Sequence, residues 1–347
     1  MAVRPSTWAR VRGYIGEYGL IALLLALPVV YGIQDISQDG SLARLGNNLV
    51  AGLSNGAIWA LIALGYTLVY GIIELINFAH GEVFMIGSLV TAAWFWGVIG
   101  LTENTATFGL ILGLLASLVV AMLTSGTLNV MIERVAYRPL RTAPKLAPLI
   151  TAVGMSFILQ NVGILWIGGS QEGVPELINP QNVLFTVGGV DIHTGDLLSV
   201  GVTIPLVILL TGFISRSRMG RAMRATAQDP EAARLMGINV DTTISLTFLL
   251  GGIMAGAAGL VYALYQTTIW YFQGFQAGLI AFTAAVLGGI GNLQGAVLGG
   301  FIIGIIQQIS DNRIGGEWTP AIVFVYLVLI MVFRPQGLLG EETREAG

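Results

Sequence analysis

Cysteine is absent from the 347 residues, histidine occurs twice, and lysine occurs once, at Lys145. That inventory removes disulfide scaffolds, thiol nucleophiles and cysteine-based metal ribbons. It also removes a Gly-Lys-Ser/Thr phosphate loop, because Lys145 is followed by Leu146. Charge is scarce too: Asp, Glu, Lys and Arg together make 10% of the chain, against roughly a quarter in ordinary soluble domains. With 16 basic and 19 acidic residues, nothing supports a nucleic-acid binder. What fills the chain is apolar, 55% of its residues, and a further 47 residues are glycine. So much continuous apolar sequence exceeds one soluble core and points to an all-α, polytopic integral membrane protein.

The sparse charges allow the spans to be measured. Charge-free runs cover Tyr18–Gln34, Leu45–Ile73, Val83–Thr102, Asn104–Ile132, Leu146–Gln171, Leu197–Ser215, Thr242–Ser310 and Trp318–Phe333. One crossing needs about 20 apolar residues, so seven runs fit one crossing each. The run from Thr242 to Ser310 suits three, with breaks near Gln273–Gly274 and Gly289–Asn292. About ten transmembrane helices are therefore expected, with both termini cytoplasmic. That parity puts Arg4, Arg10, Arg12, Arg134, Arg138, Arg141, Lys145, Arg216, Arg218, Arg221, Arg224, Arg234, Arg334 and Arg344 inside. Only Arg44 and Arg313 fall outside, a strong positive-inside bias. Two crossings in the long run instead of three would move the C-terminal tail outside and cost two of those fourteen. No small-x-small cleavage site follows Leu27–Gly32, so the first helix is expected to be retained.

Glycines recur at spacings of four, at Gly52/Gly56, Gly109/Gly113, Gly252/Gly256, Gly291/Gly295/Gly299 and Gly300/Gly304. Helices in lipid associate through such close-packing faces. The segment Ala285–Gly304 is denser still, and Gly288, Gly289 and Gly291 interrupt it before Asn292. It reads as a hairpin tip or broken helix beside a translocation path, or as a plain tight turn. Between the second and third crossings lie Glu74, Asn77, His80 and Glu82 without any Lys or Arg. Ionisable groups there are costly unless paired or wetted. They either line the path, bonded through Asn77 and His80 or facing water, or form a short loop at headgroup level. Asn55, Gln160 and Asn161 lie within crossings, where amides commonly join helices. His193 falls in an outer loop, where a solvated ring is the default.

The longest basic loop, residues 216–241, holds a complete helix signature. Asp229 suits the N-cap, Pro230 the first helical position, and Glu231 the positive helix end, with Ala232 and Ala233 following and Gly237 as the stop. The spacing gives a rigid knob or an ordinary surface helix.

Glu231-Ala232-Ala233-x3-Gly237 resembles the EAA loop of ABC importer permeases. The stretches Asn55–Gly71, Ile76–Val83, Glu133–Arg141, Ser217–Ala222 and Phe282–Gly291 resemble the LivH-type permeases of branched-chain amino-acid ABC importers. The resemblance covers about Leu49 to Gly340; residues 1–44 look like an extension bearing the first helix, and 341–347 a cytoplasmic tail. The Leu-Pro that ends the motif in the wider superfamily is missing. What the resemblance implies is a transport subunit, not an enzyme, in the bacterial inner membrane, with no cofactor of its own. Its partners would be a second permease of LivM type, two cytoplasmic ABC ATPases and a periplasmic binding protein, with Asp229, Pro230, Glu231, Ala232, Ala233 and Gly237 meeting the ATPase. Urea or short amides as cargo, and an ion-coupled secondary carrier, are the alternatives.

Overall fold

The computed structural model describes residues 7–141, 143–144 and 146–340. Arg4, Lys145, Arg344 and the tail 341–347, which entered the charge argument above, lie outside the described residues. The chain begins with α1 (Thr7–Asp39), α2 (Ala43–Ile73), α3 (His80–Val98) and α4 (Thr107–Leu140). It continues through α5 (Leu146–Ile167), α6 (Thr194–Arg216), α7 (Arg218–Gln228) and α8 (Pro230–Leu235). The last four helices are α9 (Val240–Gln266), α10 (Gln273–Gly288), α11 (Leu293–Arg313) and α12 (Thr319–Phe333). The 242–310 run is thus three helices; the second break, 289–292, falls where it was expected, whereas the first, 267–272, ends just before Gln273–Gly274, which open α10 instead of interrupting it.

Among the described residues, eight helices are long and apolar enough to cross a membrane; α10 and α12 are shorter. Their 16 and 15 residues reach about 24 and 22 Å at 1.5 Å per residue. Two small pairings decorate the loops. β1 (Glu172–Gly173) pairs antiparallel with β4 (Thr268–Ile269), and β2 (Val183–Val187) with β3 (Val190–His193). His193 is more than a solvated ring: it caps α6, its Nδ1 lying 3.1 Å from the buried Asp196.

α2 is the axis. Every residue from Ser54 to Val69 is buried, as expected of a helix apolar on all sides. α11 packs along it most closely, because a Cβ on Gly304 would stand 2.3 Å from the Gly56 backbone. The approach brings polar partners together: Asn55 donates to Gln308 at 2.7 Å, and Asn312 to Asn48 at 2.6 Å. Gly252 and Gly256 bring α9 onto α4 in the same way, and Gly295 and Gly299 bring α11 onto α10. Gly109 and Gly113 do not serve helix pairing. They meet only Thr105 and Leu101 of the preceding loop, while neighbouring Phe108, Ile111 and Leu112 are exposed. A Cβ at Gly291 would also meet no other helix; Gly291 has φ 95° and belongs to the tip turn. In α3, residues Leu89–Phe95 are π-helical, a feature that apolar patterning cannot show.

The basic stretch at the end of α4 reaches the start of α9. Arg138 and Arg141 both reach Asp241, at 2.7 and 2.6 Å, and Arg141 also bonds the buried Glu133. The end of α4 and the start of α9 therefore share one end of the bundle. Arg313, one of the two arginines expected outside, pairs with the buried Asp35 of α1, with its guanidinium 5.2 Å from the centre of the Tyr31 ring. The pair ties α1 to α11, and Tyr326 adds a bond from α12 to the Leu23 carbonyl at 3.0 Å. Asp35→Asn keeps the shape but weakens a charge-assisted bond worth about 2 kcal/mol. Thermal unfolding in detergent should show a Tm several degrees lower, with α1 losing protection first in hydrogen exchange.

Candidate functional site

The candidates of the sequence fall into three places. The first is interior. Glu82 lies in the opening turn of α3 and is fully buried. Its Oε1 accepts from Ser156 Oγ at 2.8 Å and from Gln160 Nε2 at 2.6 Å. Ser156 and Gln160 stand four apart on α5, so one helix face supplies both donors. Asn77 and His80 do other work. Asn77 donates to Asn129 at 3.1 Å and accepts from Tyr137 at 3.2 Å, while Asn129 donates to the Phe248 carbonyl at 2.6 Å. That network pins the 74–79 loop to α4 and α9. His80 is buried edge-on to Tyr66, with ring centres 4.9 Å apart. Glu74 is exposed at the left-handed end of α2, φ 52°. The two carboxylates thus separate, one at a helix end and one in the interior.

Beside Glu82 is a cleft of about 140 Å³ between α5 and α10, with Tyr66, Phe78, Ser156, Phe157, Phe275 and Phe282 among its walls. α3 packs on both of these helices, Gly81 against the Gly274 and Gly278 backbone of α10 and Glu82 through its bonds to α5. Composition alone does not reveal this cleft. Its one visible sign is Ser156 with Gln160 at helical spacing in an otherwise apolar crossing.

The second place is the glycine tip. Gly289 and Gly291 have φ of 103° and 95°, and Asn292 caps α11 by accepting from Gly295 N at 2.9 Å. It is a hairpin turn covered by the chain's own end: Leu338 N donates to Leu287 O and Leu339 N to Gly288 O, at 2.8 and 3.0 Å. Gly288, Gly289 and Gly291 are not part of the Glu82 cleft, whose α10 wall is Gly274–Phe282.

The third place is α8. Asp229 Oδ1 accepts from Glu231 N and Ala232 N, both at 2.9 Å, and Pro230 opens the helix. Gly237, at φ 82°, closes it: its N–H bonds Arg234 O and the N–H of Ile238 bonds Ala233 O, the paired bonds of a Schellman stop. Ala233 is buried against the body, whereas Leu235 and Met236 are 89% and 82% exposed. Two large apolar side chains thus project from a helix fixed at both ends. The amphipathic α7 before it, capped by Ser217, was not separated from the basic loop by sequence reading.

Residues 48–332 match the family described as branched-chain amino acid transport system / permease component. The chain belongs to that family. It is a transport subunit of a multi-pass membrane type, not an enzyme. It is 42% identical to the high-affinity branched-chain amino acid transport system permease protein BraD of Pseudomonas aeruginosa, covering 84% of this chain and 94% of that protein. It is 40% identical to the corresponding permease protein LivH of Salmonella typhimurium, over 83% and 93%. A more distant relative at 26% identity, over 90% of this chain and 84% of the relative, is the autoinducer 2 import system permease protein LsrC of Escherichia coli. The family match begins in α2, so α1 precedes it.

Proposed function

We propose that this permease carries branched-chain amino acids across the bacterial inner membrane as one half of a channel driven by ATP. In this reading all ten apolar helices cross, both termini are cytoplasmic, and residues 45–340 form the permease unit after the extension that contains α1. Two cytoplasmic ABC ATPases, a second permease of LivM type and a periplasmic binding protein complete the importer. The observation that carries the reading is α8, a short helix capped by Asp229 and Gly237 that presents Leu235 and Met236 outward. A family member without a nucleotide loop needs its energy delivered through a contact, and this is the built projection at the basic end.

The mechanism follows from the connections. α8 leads through Gly237 into α9, and Asp241 at the top of α9 is gripped by Arg138 and Arg141. Glu133 receives Arg141 and, at 2.7 Å, Ser245 of α9. Displacement of α8 by closing ATPases would therefore move α9 and α4 together as one lever. α3, packed on α9, and α10, packed on α3, then open or close the cleft between α5 and α10.

The test is co-purification of the tagged chain from native membranes, with mass identification of its partners. Two ATPases and a second permease are the expected companions, and the adjacent binding protein should take leucine, isoleucine or valine. Recovery of a homo-oligomer alone, with uptake abolished by an uncoupler while ATP remains, would instead identify an ion-coupled carrier.

A further inference from the structure

α6 crosses from Thr194 to Arg216, and its 23 residues reach about 34 Å, slightly more than the ~30 Å hydrocarbon core of a bilayer. Its last turn therefore emerges at headgroup level. Leu209 and Phe213 stand four residues apart on its exposed face, and Arg216, also exposed, follows at the next helical repeat. An apolar stripe facing lipid thus ends in a guanidinium.

The turn into α7 brings two more arginines to the same place. Ser217 caps α7, and α7 folds back hard on the end of α6, since a Cβ on Gly220 would collide with the Ile214 carbonyl. Arg224 donates to that carbonyl, and Arg221 reaches the Arg216 carbonyl at 3.5 Å. Both side chains turn back to the membrane end of α6. Cations are favoured beside C-terminal helix carbonyls, which accounts for part of the arrangement but supplies no counter-ion. Each guanidinium carries more N–H groups than these bonds use. No Asp or Glu occurs from Leu197 to Gln228, and Asp241 is taken by Arg138 and Arg141. Among the described residues, Arg216, Arg221 and Arg224 form no ion pair.

We propose that this elbow between α6 and α7 binds an anionic phospholipid of the cytoplasmic leaflet, with its phosphate held by Arg216, Arg221 and Arg224 and its chains lying along Leu209 and Phe213. Guanidinium forks match phosphate oxygens in pairs, and basic clusters beside a membrane span attract anionic lipid. A zwitterionic lipid would bring its own ammonium against three arginines, and free phosphate lacks the chains that the apolar stripe receives. An acidic surface on an ATPase would approach from the cytoplasm, where α8 projects, whereas Arg221 and Arg224 turn the other way. The site goes beyond the importer reading and needs only that α6 crosses the membrane. Because α7 leads directly into α8, the bound headgroup steadies the base of that projection.

The experiment is native mass spectrometry of the purified, delipidated importer, titrated with phosphatidylglycerol or with phosphatidylcholine. The first phosphatidylglycerol is expected to bind about tenfold or more tightly than the first phosphatidylcholine, and to stay bound in millimolar inorganic phosphate. Arg216→Gln combined with Arg221→Gln should weaken that first step about tenfold or more. Arg44→Gln, which removes an exposed arginine at the start of α2, should leave it unchanged. A benzophenone amino acid in place of Phe213, with every arginine intact, should cross-link phosphatidylglycerol in preference to phosphatidylcholine. That chain gives the answer even where the double variant fails to assemble. Equal affinity for the two lipids, displacement by phosphate, or cross-linking without preference would each overturn the site. So would a double variant that keeps its lipid affinity, and if that variant also loses its ATPases, the arginines belong to the protein contact.

Discussion

A chain carrying aspartate at both Leu235 and Met236 is expected to fold, insert and purify normally, yet to lose its ATPases and its ATP-driven uptake. Both side chains are almost wholly exposed, so the exchange removes no core contact and should change stability by no more than ~0.5 kcal/mol per site. The cost falls on the contact instead. Burying a Leu or Met side chain is worth about 1.5–3 kcal/mol, and aspartate would have to be desolvated in its place. The two losses together correspond to a drop in affinity on the order of a hundredfold or more. Co-purification should show the ATPase bands disappear while the second permease stays, and proteoliposome uptake should fall to background. Gly237→Pro is the companion variant. It keeps Leu235 and Met236 but cannot take φ 82°, so the knob remains and its aim changes. ATP hydrolysis that continues while uptake falls is the expected signature. Normal uptake with both substitutions would move the drive contact away from α8.

α8 was legible residue by residue because capping is local chemistry. Asp229, Pro230 and Gly237 each answer to a backbone group within four positions, so sequence alone contains the geometry. The break at 289–292 was legible for a related reason, since glycine weakens a helix where it stands, whereas the other break lies at 267–272, just before the Gln273–Gly274 that the sequence suggested. Long-range partners were not. Nothing in the spacing of Glu74 and Glu82 told that one stands at a helix end and the other meets Ser156 and Gln160, 74 and 78 positions away. The four-residue glycine spacing misled at Gly109/Gly113 because a small-residue face packs only when another helix arrives, and there the neighbour is a loop side chain. Arg313 seemed an exception to the charge bias until Asp35 supplied its counter-ion. Residue type therefore located the costly groups, and tertiary contacts decided how each cost is met.

Gly304→Leu is expected to have a large effect on the whole bundle. The atoms that a side chain would strike are the Gly56 Cα and N at 2.3 Å and the Gly52 carbonyl oxygen at 2.4 Å, all backbone and unable to rotate aside. α2 and α11 would have to separate. Overpacking alone costs typically 1–3 kcal/mol, and separation also stretches the bonds Asn55–Gln308, Trp59–Gln307 and Asn48–Asn312, each worth about 1 kcal/mol. The total approaches about 5 kcal/mol, comparable with the whole stability of many domains. Because α2 is the axis against which α6, α9 and α11 pack, the loss is global. The variant should reach the membrane in low yield and aggregate on extraction. Gly212→Ala in α6 is the control: a Cβ there meets nothing within 4 Å, and alanine gains about 1 kcal/mol of helix propensity. Size-exclusion profiles and thermal unfolding of the two side by side decide the matter. A Gly304→Leu chain as monodisperse and as heat-stable as Gly212→Ala would mean that the α2–α11 contact is not what holds this bundle together.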